Sequence, residues 1–137
     1  MFKKPIFLGA TSQICFGFLL TFSSSIGQTF FISLFAGEIR SELNLSHGMF
    51  GTFYSAATLT SALVFLWFGK FTEQFNLILL GLIAFVALSL FSLMLANTNT
   101  LFLLFLSLLG LRFFGQGLLG HVAITAMACW FSKKRGQ

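Results

Sequence analysis

The sequence predicts an all-α integral membrane protein with four transmembrane helices, and two observations carry this prediction. Only 8% of the 137 residues are charged and 57% are hydrophobic, whereas a soluble domain is about 25% charged. The chain also contains uncharged runs that exceed the roughly 20 apolar residues needed to cross a bilayer. These runs cover 5–37, 43–69, 74–111 and 113–132. The composition therefore excludes a water-soluble enzyme, and we expect no enzymatic activity.

The limits of the helices follow from these runs and from one internal turn signal. The run 74–111 is too long for a single crossing, and it contains the polar segment Asn97–Thr100, which is typical of a turn. Dividing the run there leaves one crossing on each side of the turn. The predicted helices cover about 8–36, 46–69, 75–96 and 101–131.

The basic residues predict the orientation, because cytoplasmic loops of membrane proteins carry an excess of Lys and Arg. Four crossings place the following basic residues on one side: Lys3, Lys4, Lys70, Lys133, Lys134 and Arg135. The other side has Arg40, accompanied by Glu38 and Glu42. We therefore expect a multi-pass protein of the plasma or inner membrane, in contact with lipid, with both termini in the cytoplasm. Topology accounts for the net charge of +5, so no basic patch remains for nucleic acid.

A stripe of polar and small residues runs along the first helix. Its members recur every three or four residues and so share one helix face: Gln13, Gly17, Thr21, Ser24 and Gln28. Such a stripe avoids lipid and is expected to face a wet cavity inside the protein. Hydrogen bonding between packed helices is the alternative, and the sequence leaves it open.

The second and third helices differ in their surfaces. Small residues recur every seven positions along the second helix, at Gly48, Ser55, Ala62 and Gly69. Small residues let membrane helices approach closely, so this small-residue seam predicts a partner helix. The third helix is Leu, Ile, Phe and Ala nearly throughout, which is suited to the lipid-facing periphery.

The fourth helix carries an arginine near the middle of the bilayer. Arg112 at that depth costs about 2.5–3.5 kcal/mol on insertion scales. Gln116 follows one turn later on the same helix face, and Gly115 and Gly117 permit close backbone approach. Arg112 could bind backbone carbonyls of a neighbouring helix, or it could bind an anionic substrate or control a coupling proton. Both interpretations stay open, since none of the four helices holds an acid to pair with it.

No pattern in the chain indicates a cofactor, a metal or a catalytic residue. Cys15 and Cys129 match no metal or redox spacing. Phosphate loops, nucleophile elbows and paired carboxylates are also missing from the sequence.

Three motifs resemble the major facilitator superfamily of transporters. Arg112, Gly115, Gln116 and Gly117 are similar to that family's fourth-helix motif, and Cys129–Gly136 is similar to the aromatic and basic exit from the same helix. The segment Gly69–Glu73 resembles the cytoplasmic loop after helix two, in which a glycine ends the helix and an acid latches the inward gate. The loop departs from the family pattern at Gln74, Phe75, Asn76 and Leu77, and its acid is Glu73 where the family usually has Asp.

The resemblance implies that the chain is the N-terminal, C-terminally truncated part of a twelve-helix carrier. It implies gating by Gly69 and Glu73, and alternating access around a midplane site. A lining with one cation and no acid favours a small organic anion, such as a monocarboxylate moved with protons. The candidate lining residues are Gln13, Ser24, Gln28, Arg112 and Gln116. Alone, the chain is expected to be inactive and to self-associate for lack of its remaining helices. The alternatives are a small four-helix oligomeric exporter and a non-transporting membrane subunit.

The orientation can be tested by cysteine accessibility after both native cysteines are replaced. A membrane-impermeant thiol reagent applied outside cells is expected to label a cysteine at Asn99 and to spare one at Lys70, because only the former is expected outside. Lysing the cells first should expose both sites and serves as the control. Labelling at position 70 but not at 99 in intact cells contradicts the predicted orientation.

Overall fold

The computed structural model describes residues 9–72 and 74–131, with every side chain in these ranges except that of residue 71. The described chain is helical and contains no strand. Its α-helices are α1 (Ala10–Ser24), α2 (Thr29–Glu42), α3 (His47–Thr72), α4 (Leu77–Ala96), α5 (Leu101–Gly110) and α6 (Gly120–Trp130). A short 3₁₀ turn, Ser25–Gly27, leads from α1 towards α2, and a π-helical segment, Leu111–Leu119, joins α5 to α6.

Within residues 9–72 and 74–131, four helical spans are long and apolar enough to cross a membrane. They cover Ala10–Glu42, His47–Lys70, Leu77–Ala96 and Leu101–Trp130. The prediction of an all-helical protein with four helices long and apolar enough to span a membrane is therefore confirmed for the described residues. The first span consists of α1, the 3₁₀ turn and α2, and the fourth of α5, the π-helical segment and α6.

The first span is not the continuous helix that the sequence predicted. α1 ends at Ser24, and Gln28 adopts an extended backbone with φ −81° and ψ 155° before α2 begins. Serine side chains compete for backbone hydrogen bonds and glycine is a poor helix former, and the break follows the run Ser23–Gly27. The Ser24 hydroxyl indeed donates to the Thr21 carbonyl at 2.7 Å.

The same span also ends later than predicted. Glu38, Arg40 and Glu42, which were expected outside the first helix, all lie in α2. The helix stops only where Asn44 takes a left-handed backbone conformation, with φ 52°. Arg40 lies in the last turn of α2, where a cation is favourable because the helix dipole is negative there.

Polar caps explain why the remaining helix starts fall close to the predictions. The Ser46 hydroxyl accepts from the Met49 amide ahead of α3, and the Asn76 side chain accepts from the Ile78 amide ahead of α4. The Thr100 hydroxyl accepts from the Leu103 amide at the start of α5. Each of these bonds satisfies an amide that the helix itself leaves without a partner.

The fourth span contains an irregularity that the sequence did not predict. Residues Leu111–Leu119 form a π-helix between α5 and α6. Its hydrogen bonds connect residues five apart instead of four. The residues that follow are therefore rotated about the helix axis relative to a continuous α-helix. π-Helical turns are rare and frequently occur at functional sites, and this one contains the predicted motif around Arg112.

The interior of the bundle depends on glycines where helices approach closely. A Cβ atom added to Gly17 of α1 would lie 2.7 Å from Cε of Met127 in α6. One added to Gly81 of α4 would lie 3.1 Å from the side chains of Phe16 and Leu20. These contacts bring the first and third spans together and seat the first on the fourth.

The burial of α3 and α4 differs in part from what the sequence predicted for the second and third helices. α4 is apolar on all sides, yet one face is buried in the bundle, through Leu77, Leu80, Gly81, Ala84 and Leu88. α3 is the least buried of the four spans. Three members of the small-residue seam, Gly48, Ser55 and Ala62, are exposed, and Gly69 is half-buried. No helix of the described chain covers the seam at these three positions.

The first and fourth spans approach so closely that adding one methyl group at the contact is expected to lower the stability of the protein markedly. A Cβ added to Gly27 would meet the Leu111 carbonyl oxygen and would lie 2.7 Å from Cα of Gly115. These are backbone atoms, so Gly27→Ala is expected to destabilise the protein by about 1–3 kcal/mol, measured by denaturant titration in mixed micelles. The control is Gly51→Ala, where no atom lies within 4 Å. Equal stability of the two variants contradicts the close approach of the two backbones.

Candidate functional site at the break in the first span

Arg112 reaches from the π-helical segment to the break in the first span. The residue is buried, with 8% of its surface exposed. Its Nη1 atom donates to the Gly27 carbonyl at 3.2 Å and to the Thr29 hydroxyl at 3.3 Å. The guanidinium therefore bridges the end of the 3₁₀ turn and the first residue of α2.

This bridge has a clear physical reason. Inside a membrane every backbone polar group must be satisfied within the protein, and a helix break leaves carbonyls that cannot bond along the helix. Arg112 supplies donors to that break from a separate span. The structure therefore contains a hydrogen bond of the kind expected if Arg112 binds backbone carbonyls of a neighbouring helical span.

Tyr54 of α3 completes the surroundings of the guanidinium. Cζ of Arg112 lies 5.4 Å from the centroid of the Tyr54 ring, a distance at which a cation is attracted by the ring face. The Tyr54 hydroxyl donates to the Thr29 hydroxyl at 2.8 Å. Since the Thr29 oxygen accepts from both Arg112 and Tyr54, its own proton is directed elsewhere.

Two buried polar atoms, one on Arg112 and one on the α3 face that carries Tyr54, have no hydrogen-bond partner in the described part of the chain. One is Nε of Arg112, and the other is the hydroxyl oxygen of Thr58. Thr58 lies one turn after Tyr54 on α3, so both side chains occupy the same face of that helix. Buried polar groups are almost always satisfied, so these two atoms still have hydrogen-bonding capacity for a water or a polar ligand group.

The backbone of α2 adds a further set of donors. The first helical bond of α2 runs from the Ile32 amide to the Gln28 carbonyl, so the amides of 29–31 precede the hydrogen-bonded part of the helix. The N-cap residue Gln28 makes no side-chain cap bond. Amides at such a position attract anions, through their N–H groups and the positive end of the helix dipole.

The electrostatics of the break are consequently positive. The guanidinium of Arg112 and the N-terminal end of α2 meet there, and the neighbouring partners are a carbonyl, a hydroxyl and an aromatic ring. The acids of the described chain, Glu38 and Glu42, lie towards the other end of α2. An arrangement of this kind can bind a carboxylate or another small anion.

The five predicted lining residues are not all brought together. Gln28 is half-buried at the break, next to Gly27 and Thr29, which contact Arg112. Ser24 is buried, and its hydroxyl binds the carbonyl of Thr21 in its own helix. These placements do not test binding itself, which stays a prediction.

Gln13 and Gln116 differ in burial. Gln13 is buried, with 1% exposed, on the same face of α1 as Gly17, which packs against Met127 of α6. Gln116 is exposed whereas Arg112 is buried, so the two side chains differ in burial although they are only four residues apart.

The predicted packing glycines of the fourth span both make close contacts. A Cβ on Gly115 would lie 2.7 Å from Cα of Gly27, so this glycine permits the approach that brings Arg112 to the break. A Cβ on Gly117 would lie 3.2 Å from the ring of Phe65 in α3. Both glycines therefore lie where an added methyl group would meet a neighbouring helix or turn.

Of the two predicted gating residues, Gly69 lies at the other end of α3. Glu73 is outside the described residues, and Gly69 is half-buried, with its carbonyl accepting from the Thr72 hydroxyl at 2.7 Å. That hydroxyl also lies 3.1 Å from Nε2 of His121 in α6. Because the hydroxyl proton is directed to Gly69, the proton of this second bond comes from His121.

Sequence reasoning missed Gly27, Thr29, Tyr54 and Thr58. Gly27 followed the serine run and could have been recognised as a helix breaker. Tyr54 is the single tyrosine of the chain, and Tyr and Trp seek a hydrogen-bond partner when buried. No signal in the sequence links α3 to the break, because that proximity arises only when the helices pack.

No family model, no curated protein and no solved structure matches this chain.

The contrast between two neighbouring hydroxyls of α3 tests the hydrogen bonding of the site. Tyr54→Phe removes a hydrogen bond to Thr29 and is expected to cost about 0.5–1.5 kcal/mol. Thr58→Val removes a buried hydroxyl without a described partner, so its cost is expected to be close to zero. Both values come from denaturant titration in mixed micelles. A larger loss for Thr58→Val than for Tyr54→Phe contradicts the bond between Tyr54 and Thr29.

Proposed function

We propose that the chain forms part of a secondary active transporter and that the break in its first span binds a small organic anion. The observation that carries this proposal is the buried Arg112 at the N-terminal end of α2, with its Nε atom unsatisfied. The candidate substrate is a small carboxylate. Its two oxygens match the donors of a guanidinium, which binds carboxylates in a bidentate manner.

The chemistry of binding follows from the donors already in place. One carboxylate oxygen would accept from Nε of Arg112, and the first-turn amides of α2 would stabilise the negative charge through the helix dipole. The hydroxyls of Thr58 and Thr29 have protons to donate. Charge-assisted hydrogen bonds of this kind are about twice as strong as those between neutral groups.

The helix break supports transport rather than simple scaffolding. Secondary transporters commonly form their substrate sites from discontinuous membrane helices, whose half-helix N-termini point at anionic groups. The first span has this construction, with α1 and α2 separated at Gly27 and Gln28. A purely structural subunit gains nothing from a broken helix and a buried guanidinium, both of which cost free energy in a membrane.

The exposed small-residue seam supports participation in a larger assembly. Gly48, Ser55 and Ala62 are exposed along α3, and such residues permit close helix packing in membranes. We propose that the seam packs against further helices of a carrier of the major facilitator type, in agreement with the resemblance of the motif around Arg112. The anion would then lie between this helical unit and its counterpart.

A small oligomeric transporter is the second candidate, and the same seam favours it. Two copies of the chain could pair through Gly48, Ser55 and Ala62. The two candidates share the anion site and differ in what covers α3.

The proposal predicts that anion binding depends on Arg112. The full chain in phosphatidylcholine nanodiscs is expected to bind benzoate or lactate, detected by saturation-transfer NMR against empty nanodiscs. Arg112→Gln is expected to weaken binding about 10- to 100-fold, because a hydrogen bond to a charged group contributes about 1.5–3 kcal/mol. Thr58→Val should also weaken binding, with the fold retained.

The matched control is Arg40→Gln, which removes a cation from α2 at a distance from the break. Its side chain donates to the Ala36 carbonyl of its own helix, so affinity for the anion should not change. Equal affinity of the wild-type, Arg112→Gln and Thr58→Val proteins contradicts the proposed site. Uptake of the same carboxylates by the chain alone in liposomes would favour the oligomeric transporter over the larger carrier.

A further inference from the structure

A separate cavity lies between α2 and the C-terminal half of α4, at the end of the bundle opposite Lys70. Its volume is about 360 Å³, which is within the range of small-molecule sites. The floor is formed by Ile26 and Leu111, and the α4 side by Ser92, Leu95 and Ala96. The cavity is therefore apolar at its base and along most of the α4 wall.

Two carboxylates of α2 line the same cavity. Glu38 and Glu42 are one helical turn apart and belong to its lining, and both side chains are exposed. They place negative charge at the edge of an apolar cavity, near the end of the first span at Glu42. A molecule with a cationic head and an apolar body matches this distribution.

No described basic residue neutralises the two acids at the cavity. Arg40 lies between them in sequence, but two residues along a helix turn the side chain to the opposite side. There it lines a separate cleft and donates to the Ala36 carbonyl at 3.1 Å. Among the described residues, no Lys, Arg or His lines the cavity.

Aromatic rings and one hydroxyl add to the recognition of a cation. Phe31 and Phe35 both line the cavity, with ring centroids 5.4 Å apart, and aromatic faces attract ammonium groups. The hydroxyl oxygen of Ser92 is buried and has no hydrogen-bond partner among the described residues. It is consequently available to accept from an N–H donor inside the cavity.

We propose that this space, the α2–α4 cavity, binds a small amphipathic organic ammonium ion. The ammonium group lies between the carboxylates of Glu38 and Glu42, and the apolar body fills the space down to Ile26 and Leu111. A zwitterionic lipid fits less well, because its phosphate would approach the two acids. The α2–α4 cavity is distinct from the anion site at Arg112, so the two proposals can fail separately.

The test uses 1-adamantylammonium, a compact apolar cage with one amine that is charged at pH 7. Its binding to the full chain in phosphatidylcholine nanodiscs is measured by isothermal titration calorimetry, with empty nanodiscs as the blank. Saturable binding is expected. The uncharged cage 1-adamantanol should bind at least about tenfold more weakly, a difference of about 1.4 kcal/mol.

Three variants locate the binding within the cavity. The double change Glu38→Gln and Glu42→Gln should weaken 1-adamantylammonium at least about tenfold. Arg40→Gln on the opposite side of α2 should leave its affinity unchanged or slightly raised. Ala96→Phe, which fills the cavity without removing a charge, should also weaken binding. Circular dichroism confirms that each variant keeps its helix content.

Several results overturn the proposal. One is equal affinity for the ammonium ion and the alcohol, and another is unchanged binding by the double glutamine variant. Absence of saturable binding above empty nanodiscs also overturns it. Cross-linking from position 38 gives a further test. If it captures a second copy of the chain or a lipid, and 1-adamantylammonium does not reduce the yield, the proposal is overturned because the cavity has another occupant.

Discussion

The contact between Arg112 and the broken first span is the interaction on which the rest of the structure depends. A helix interrupted in the membrane exposes backbone carbonyls that lipid cannot satisfy, and the guanidinium donates to the Gly27 carbonyl from another span. The same contact provides partners for a charge that would otherwise be costly at that depth. Each irregularity thus stabilises the other.

Close packing of small residues makes this contact possible. Gly27 and Gly115 bring the backbones of the first and fourth spans together, within a distance that a single methyl group would obstruct. The π-helical segment Leu111–Leu119 contains both Arg112, which is buried, and Gln116, which is exposed. Position along the helix alone does not determine which polar residue reaches the break.

The two candidate sites differ in charge and in depth. The break gathers a guanidinium and the positive end of α2, whereas the α2–α4 cavity has carboxylates at its edge and an apolar floor. Both use α2, whose N-terminal end lies at the break and whose C-terminal half carries Glu38 and Glu42. Ile26 and Leu111, which line the cavity floor, directly neighbour Gly27 and Arg112 in the chain. The separation of opposite charges along one helix lets adjacent regions favour ligands of opposite sign.

The sequence by itself determined the four membrane spans, because apolar run length is a local property that hydrophobicity enforces directly. It also identified Arg112 and the packing glycines of its motif, since a charge in an apolar run has few possible explanations. Only the tertiary structure decided how the break in the first span is satisfied, how the fourth span winds and which partners Arg112 takes. Those features depend on whether backbone groups distant in sequence can satisfy one another. Tyr54 and Thr29 meet the guanidinium because three helices converge there, and no local pattern encodes that convergence.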